Sequence, residues 1–380
     1  MRILTAGESH GQGIVVILEG FPKGVKIEQN FINQELQRRM SGFGRGKRMS
    51  IEQDSVNIIS GLRHKITLGS PIAILVKNRD IKIFSQSEDS LAPLFIPRPA
   101  HADLSGAVKY QDNDIRNILE RASARETVAR VCAGAVCKQL LSNFKIMISS
   151  FTVSIGSVSC PKKPNSILEI INKTKNSLLR CLDKNTESLM IKEIKNAQSK
   201  KDTLGGIIEV WIHGIPVGLG SFMHYDRRLD AKLAAYIMSI PAVKGVEIGL
   251  GFDYARGNGS ETHDAIYYNL KTKKFYHKTN NSGGIEGGIS NGEPITLRLA
   301  MKPIATLQKP LDSVNLITKK PAKAIIERSD TCAVVACAVI AENMSAIAIT
   351  ESFLEKFGSD TVKEIKSNYQ NYLNSRIKKP

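Results

Sequence analysis

A stretch near the C-terminal end of this chain is apolar on every side, and that decides what kind of fold can hold it. After Ser329 or Asp330 the spacing predicts a helix running through Ala333, Val335, Ala336, Val339 and Ile340. A helix without a polar face has nothing to offer water, so other elements must enclose it. A second helix is predicted from Ser123, because Val128, Val131, Cys132, Ala135 and Val136 recur at helical spacing. Ser123 and Glu126 stand at the separation of a capping box at its start. Short β-rich runs at 13–18, 56–60, 72–76, 206–212 and 295–300 are interleaved with these helices. The pattern predicts a mixed α and β protein.

With 380 residues and 42% hydrophobic content, the chain can bury a sizeable core, in one large domain or two intimate ones. No run approaches the roughly 20 apolar residues of a spanning helix. The start MRILTAGESHG lacks the layout of a secretion signal. A cytoplasmic location without membrane contact is therefore expected. Cys132, Cys137, Cys160, Cys181, Cys332 and Cys337 are dispersed with no CxxC, which argues against a zinc site and against disulfides. The net charge of +17 favours anionic partners without saying which kind. Part of it falls in a Lys-, Asn- and Ser-rich segment at about 160–203, read as a peripheral helical insertion. More falls in a Lys-rich end from about 363, read as a solvated tail. There is no internal repeat, Walker loop or GxGxxG fingerprint to support a nucleotide-binding unit.

Five stretches carry chemistry. In Gly7-Glu8-Ser9-His10-Gly11, glycines present a histidine that titrates near neutrality, a candidate acid or base, although a structural role fits the segment equally well. The segment from Arg38 to Arg48 holds Arg39, Arg45 and Arg48 in a glycine-rich setting suited to bidentate capture of carboxylate or phosphate. A solvated loop or an RNA-binding patch is the alternative there, but Phe43 is its only stacking ring. The run Arg98-Pro99-Ala100-His101-Ala102-Asp103 precedes Arg121-Ala122-Ser123-Ala124-Arg125-Glu126-Thr127, where two arginines lie beside a helix N-terminus that attracts anions. The glycine-dense 283–292 segment and Lys302-Pro303-Ile304-Ala305-Thr306 imply close backbone approach to something flat or phosphorylated, or an irregular bulged turn. In Arg328-Ser329-Asp330, Asp330 also reads as a simple helix cap.

Taken in order, GESHG, the RxSARET segment at Arg121 to Thr127 and the late Arg328-Ser329-Asp330 resemble the chorismate synthase family. Similar text at Ser60-Gly61, Thr67 to Ile72, Gly218 to Ser221 and Val243 to Gly249 extends the resemblance over about residues 1–355. Ala100, Glu120 and Pro241 depart from the family pattern, which usually has glycine at the first two positions and asparagine at the third. The resemblance implies an α+β fold, a β-α-β sandwich of antiparallel sheets around central helices. It further implies a single catalytic domain over 1–355 with a basic tail over 356–380, and a homotetramer.

The implied reaction is the anti-1,4-elimination of phosphate from 5-enolpyruvylshikimate 3-phosphate to chorismate, the last step of the shikimate pathway. It requires reduced FMN, with NADPH entering only as a source of electrons and an external reductant expected. By resemblance His10 protonates the departing phosphate, His101 manages flavin protonation and Asp330 relays the abstracted proton. Ser9, Arg39, Arg45, Arg48, Arg125 and Arg328 resemble the substrate-binding set. Flavin contacts are implied for Arg121, Ala122, Ser123, Pro241, Ala242, Gly287, Lys302, Pro303, Ile304, Ala305, Thr306 and Arg328. Two other readings remain open on the residues alone: a nucleic-acid-binding protein, motivated by the charge, and a flavoenzyme of net oxidation, which would consume reductant stoichiometrically.

Overall fold

The computed structural model describes residues 1–46, 54–79, 92–327 and 329–375. Two antiparallel sheets organise the chain. The first is built from β1 (Arg2–Ala6), β2 (Gly13–Glu19), β3 (Val56–Ile58) and β4 (Ile72–Lys77) in the order β1-β2-β4-β3. The second contains β5 (Met147–Ile155), β6 (Val158–Ser159), β7 (Gly206–His213), β8 (Val243–Ile248) and β9 (Ile295–Met301), in the order β8-β9-β7-β5-β6. Alternation fixes which face is buried: Ile14, Val16 and Leu18 on β2, Ile72, Ile74 and Val76 on β4, and Ile208, Val210 and Ile212 on β7 are withdrawn from water.

Three helices fill the space against these faces, α1 (Gln29–Met40), α4 (Thr127–Ser142) and α8 (Val334–Phe357), and α7 (Leu229–Met238) packs on α8. Helix α4 packs on β2 and on α8, and α8 packs on β5 and β7. The predicted all-apolar helix is thus α8, buried over most of its 24 residues. The expectation that no stretch approaches membrane-spanning length needs correction, since α8 is long and apolar enough by composition. It is enclosed by protein, as its lack of a polar face demands. At Gly134 a Cβ would lie 2.4 Å from Asn343, so glycine lets α4 and α8 come together at backbone distance.

The other helix start also differs from expectation. Ser123 caps a short 3-10 turn over Ala124–Glu126, accepting from the Arg125 N–H, before α4 begins at Thr127. Glu126 does not reach back to complete a box, because its carboxylate accepts from Arg130 Nε at 3.0 Å, one turn further on.

Two regions read as peripheral are tied to the core. The 160–203 segment forms α5 (Ile167–Thr174) and α6 (Lys184–Ser199), each opened by a side-chain cap, Ser166 and Asp183. Ile170, Leu179, Met190 and Ile194 are buried there. Its Arg180 reaches the fully buried Glu342 of α8 at 2.7 Å. Glu342 also accepts from Arg38 at 2.9 Å, Lys138 at 2.9 Å and the Ser150 hydroxyl at 2.8 Å. Lys138 in turn bridges to Glu35 at 2.6 Å. Beyond α8, residues expected as a solvated tail form α9 (Val362–Ser375). Val362 and Ile365 are buried, Tyr369 packs against Phe144, Phe353 and Phe357, and the Tyr372 hydroxyl donates to Val217 O at 2.8 Å. The apolar side chains Val362, Ile365, Tyr369 and Tyr372 bring the helix against the core, although polar residues outnumber them.

Candidate active site

The loop after β1 reverses at Gly7, where φ is +110° and a Cβ would lie 2.2 Å from Gly13 O, so only glycine fits. Asn78, just past β4, fixes the rest of the loop. Its Nδ2 donates to Glu8 O at 3.0 Å, Ser9 O at 3.2 Å and Gly11 O at 2.8 Å. Ser9 is buried and shares a hydroxyl contact of 3.1 Å with Ser123. Helix α3 (Arg116–Ala122), which follows α2 (Asp103–Tyr110), brings Glu120 to this loop. Glu120 of α3 accepts from the His10 backbone N–H at 2.9 Å and from ring Nδ1 at 2.9 Å, while its own carbonyl accepts from Ser9 N–H at 3.0 Å. Burial pushes the Glu120 carboxyl up, but the hydrogen bonds and charge of His10 outweigh it and hold the group below its usual range.

The arginines arrive from separate elements and are held before any ligand binds. Arg39, at the end of α1, donates from Nε to Thr127 Oγ1 at 2.9 Å and from Nη2 to Ala124 O at 3.0 Å. Burial pushes it down to about 10, which leaves it charged at neutral pH. Arg125 donates to Asn78 Oδ1 at 2.9 Å and to Asp54 Oδ1 at 2.7 Å. Arg45 Nε lies 3.2 Å from Asp330 Oδ2, and Asp330 Oδ1 accepts from Gly46 N–H at 2.6 Å.

His101 has a carboxylate of its own. Its Nδ1 is 2.5 Å from Oδ1 of Asp103, which is fully buried and also takes Arg98 Nε at 2.8 Å. Burial would raise that carboxyl, yet the hydrogen bonds from His101 and Arg98 and the guanidinium charge keep it well below the usual carboxylate range. Arg98 also donates to Thr306 Oγ1 at 2.9 Å, joining the segment to the loop that follows β9. Ala100 adopts φ +60° and Ala242 φ +71°, left-handed conformations that cost a residue with a Cβ roughly 1–2 kcal/mol. Ala100 occupies a position where glycine would sit without that strain, and Lys302 Nζ donates to its carbonyl.

These side chains line one cavity of about 430 Å³. Ser9, His10, Arg39, Arg45, His101, Arg125 and Asp330 all reach it, as do Ala122, Ser123, Pro241, Ala242, Lys302, Ile304, Ala305 and Thr306. Five of its lining side chains are cationic, Arg39, Arg45, Arg98, Arg125 and Lys302, against Glu327 and Asp330. An anion of several charges is the ligand such a wall attracts. The alanines, Pro241 and Ile304 supply an apolar surface beside it, which suits a flat ring system.

Other expected residues lie elsewhere. Arg121 points back to β1, donating to Thr5 O at 3.0 Å and Gly7 O at 3.1 Å, so it braces the His10 loop. Gly287, at φ +57° between Ile285–Glu286 and Ile289–Ser290, and Pro303 are not part of the cavity wall. Arg48 and Arg328 lie outside the described residues. Sequence reasoning gave no role to Arg98, Asp103, Asn78, Asp54 or Glu120. Arg98 and Asp103 flank His101 and were legible as a local set, whereas Asn78 and Asp54 stand in text with no chemical signal.

Comparison with known proteins agrees with the geometry. Residues 1–354 match the chorismate synthase family profile. The chorismate synthase of Caldanaerobacter subterraneus subsp. tengcongensis is 50% identical over 373 residues, covering 98% of each chain. That of Geobacter metallireducens is 48% identical over 389 residues, again with 98% of each chain covered. A crystal structure of chorismate synthase superposes with a TM-score of 0.81 at 41% identity, covering 98% of this chain and 97% of that one. The chain belongs to the chorismate synthase family, the flavin-dependent lyases of the last shikimate-pathway step.

Proposed function

We propose that this protein eliminates the 3-phosphate and a C6 hydrogen from 5-enolpyruvylshikimate 3-phosphate to give chorismate, with reduced FMN as its cofactor. The observation that carries this reading is the convergence of His10, His101, Asp330 and the arginine set on one cavity from widely separated parts of the sequence. The substrate bears two carboxylates and a phosphate. A wall of fixed guanidinium groups, already held by Asp54, Asn78 and Asp330, stabilises both its binding and the charge that grows on the leaving group.

The residues fit a flavin. Ala122, Pro241, Ala242, Ile304 and Ala305 offer the apolar surface, and Ser123, Lys302 and Thr306 the polar contacts. When bound, reduced flavin supplies transient electron density to the substrate and a base for the C6 proton. His10 donates its proton to the departing phosphate oxygen as the C3–O bond breaks, with Ser9 beside it. His101, held by Asp103, keeps a proton next to the ring-binding surface. Asp330 carries the abstracted proton away, a role compatible with its contacts to Arg45 and Gly46. Arg48 and Arg328 complete the anion-binding set by resemblance.

The β-α-β layer order is supported by α4 packing toward the first sheet and α8 toward the second. One catalytic domain over 1–355, a homotetramer, a cytoplasmic location and an external reductant, with NADPH only as an electron source, complete the proposal. The test is an anaerobic assay with dithionite-reduced FMN that follows phosphate release and chorismate absorbance together. Both must rise in step; phosphate without chorismate, or neither, refutes the reading.

A further inference from the structure

Glu120, near the end of α3, is the residue that holds His10 in place. It is buried, with 4% of its surface exposed. It grips the loop at three points: the Ser9 N–H on its carbonyl, the His10 N–H on Oε2, and the His10 ring on Oε1. Nδ1 is also only 3.1 Å from Oε2, so the ring edge faces the whole carboxylate. Backbone and ring of one residue are thus chelated by one side chain 110 residues away. With Nδ1–H on Glu120, the other ring nitrogen, Nε2, is the one that carries a transferable proton in a residue that lines the cavity. At the opposite histidine the same arrangement recurs, His101 Nδ1 on Asp103.

We propose that Glu120 is the positioning residue of the proton donor: it fixes the His10 ring through Nδ1–H and balances the charge of the protonated imidazole, so that Nε2–H is presented to the leaving phosphate. This rests on the reading of His10 as the acid. In the step, the Nε2–H bond breaks, an O–H bond forms on the departing phosphate, and the C3–O electron pair leaves with it. The imidazole becomes neutral and keeps Nδ1–H on Glu120. A carboxylate behind a catalytic imidazole selects the tautomer and stabilises the charged ring, and an anion a hydrogen bond away favours the protonated form.

Among the described residues, the charged and titratable groups about this site are Glu120 and Arg116 on α3, Glu8 on the loop itself, and Arg39, Arg45, Arg98, His101, Arg125, Lys302, Glu327 and Asp330 around the same cavity. Glu120 is the one among these whose hydrogen bonds to the ring carry the argument. Glu120→Gln removes the charge and keeps the size, leaving one amide oxygen to accept from either the His10 ring or its backbone N–H.

The experiment measures kcat and KM for Glu120→Gln, Glu120→Asp and His10→Ala, together with imidazole 15N spectra of His10 in the wild-type and Glu120→Gln proteins across pH. A lost general acid costs about 10²- to 10⁴-fold, and Glu120→Gln is expected to lose at least about 10-fold in kcat as part of it, with KM little changed. Glu120→Asp, which keeps the charge, is expected to recover part of that loss. The wild-type spectrum is expected to show His10 protonated at Nδ1 when neutral, and Glu120→Gln to weaken that preference. Wild-type kcat in Glu120→Gln beside a crippled His10→Ala would overturn this proposal alone. So would a neutral wild-type ring protonated at Nε2, which needs no variant to fold. Near-normal turnover in His10→Ala would overturn the acid assignment itself.

Discussion

Asn78→Ala is the substitution that most sharply tests whether the site is assembled before ligand arrives. Asn78 is buried, and it joins the two halves of the anion and acid machinery. Its Nδ2 holds three carbonyls of the His10 loop, at Glu8, Ser9 and Gly11, and its Oδ1 accepts from Arg125 Nε. The amide has two N–H groups for three carbonyls, so at most two neutral donor bonds are lost, each worth about 1 kcal/mol net. The guanidinium bond is charge-assisted and worth about 1.5–3 kcal/mol. The total is about 3.5–5 kcal/mol, reduced by whatever water recovers in the vacated space. The assay is urea unfolding at matched slope, with turnover measured on the same preparations. Stability is expected to fall by that amount and kcat to fall with it, because the His10 loop and Arg125 lose a common anchor. A change below about 1 kcal/mol with turnover intact would refute the idea that one amide organises the site.

Further outcomes rest on the same geometry. His10→Ala is expected to lower kcat by about 10²- to 10⁴-fold with flavin binding nearly intact, whereas His101→Ala is expected also to shift the pH dependence of the reduced-flavin spectrum; the reverse pattern would exchange the two roles. Arg45→Ala is expected to weaken substrate by about 1.5–3 kcal/mol while sparing flavin, read from KM and from flavin fluorescence. The Glu342 carboxyl is pushed up by burial but held well below its usual range by Arg38, Lys138 and Arg180. A depressed carboxylate adds stability above its unfolded value of 4.5 and loses it as pH falls toward the folded value. Acid unfolding curves are therefore expected to be flatter below about pH 4.5 in Glu342→Gln, which is less stable at neutrality because the buried Arg180 loses its partner and Arg38 and Lys138 keep only Glu35, about 3–5 kcal/mol. An equally steep acid limb in that variant would place the linkage elsewhere.

The sequence carried the apolar helix α8 and the helix that begins near Ser123, because burial writes itself as periodicity. It carried the cavity residues that sit in dense motifs, such as His10, His101 and Asp330. Glu120 was visible as an unusual residue, but nothing in a linear text links it to a ring 110 positions away. Asn78 and Asp54 were silent for the same reason: a buried amide and carboxylate are defined by partners, not by neighbours. The insertion looked peripheral because lysine, asparagine and serine together outnumber its apolar residues, yet Ile170, Met190, Ile194 and Arg180 are what anchor it. The C-terminal segment misled in the same way, with Val362, Ile365, Tyr369 and Tyr372 docking a helix that composition alone paints as solvated.

The central claim is a redox-neutral elimination that needs reduced flavin without spending it. The most direct test supplies enzyme, excess 5-enolpyruvylshikimate 3-phosphate and a small, measured amount of dithionite-reduced FMN under strict anaerobiosis, then counts chorismate formed per flavin. The account predicts many turnovers per reduced flavin, with the flavin still reduced at the end. One product per flavin, with the flavin left oxidised, would contradict it.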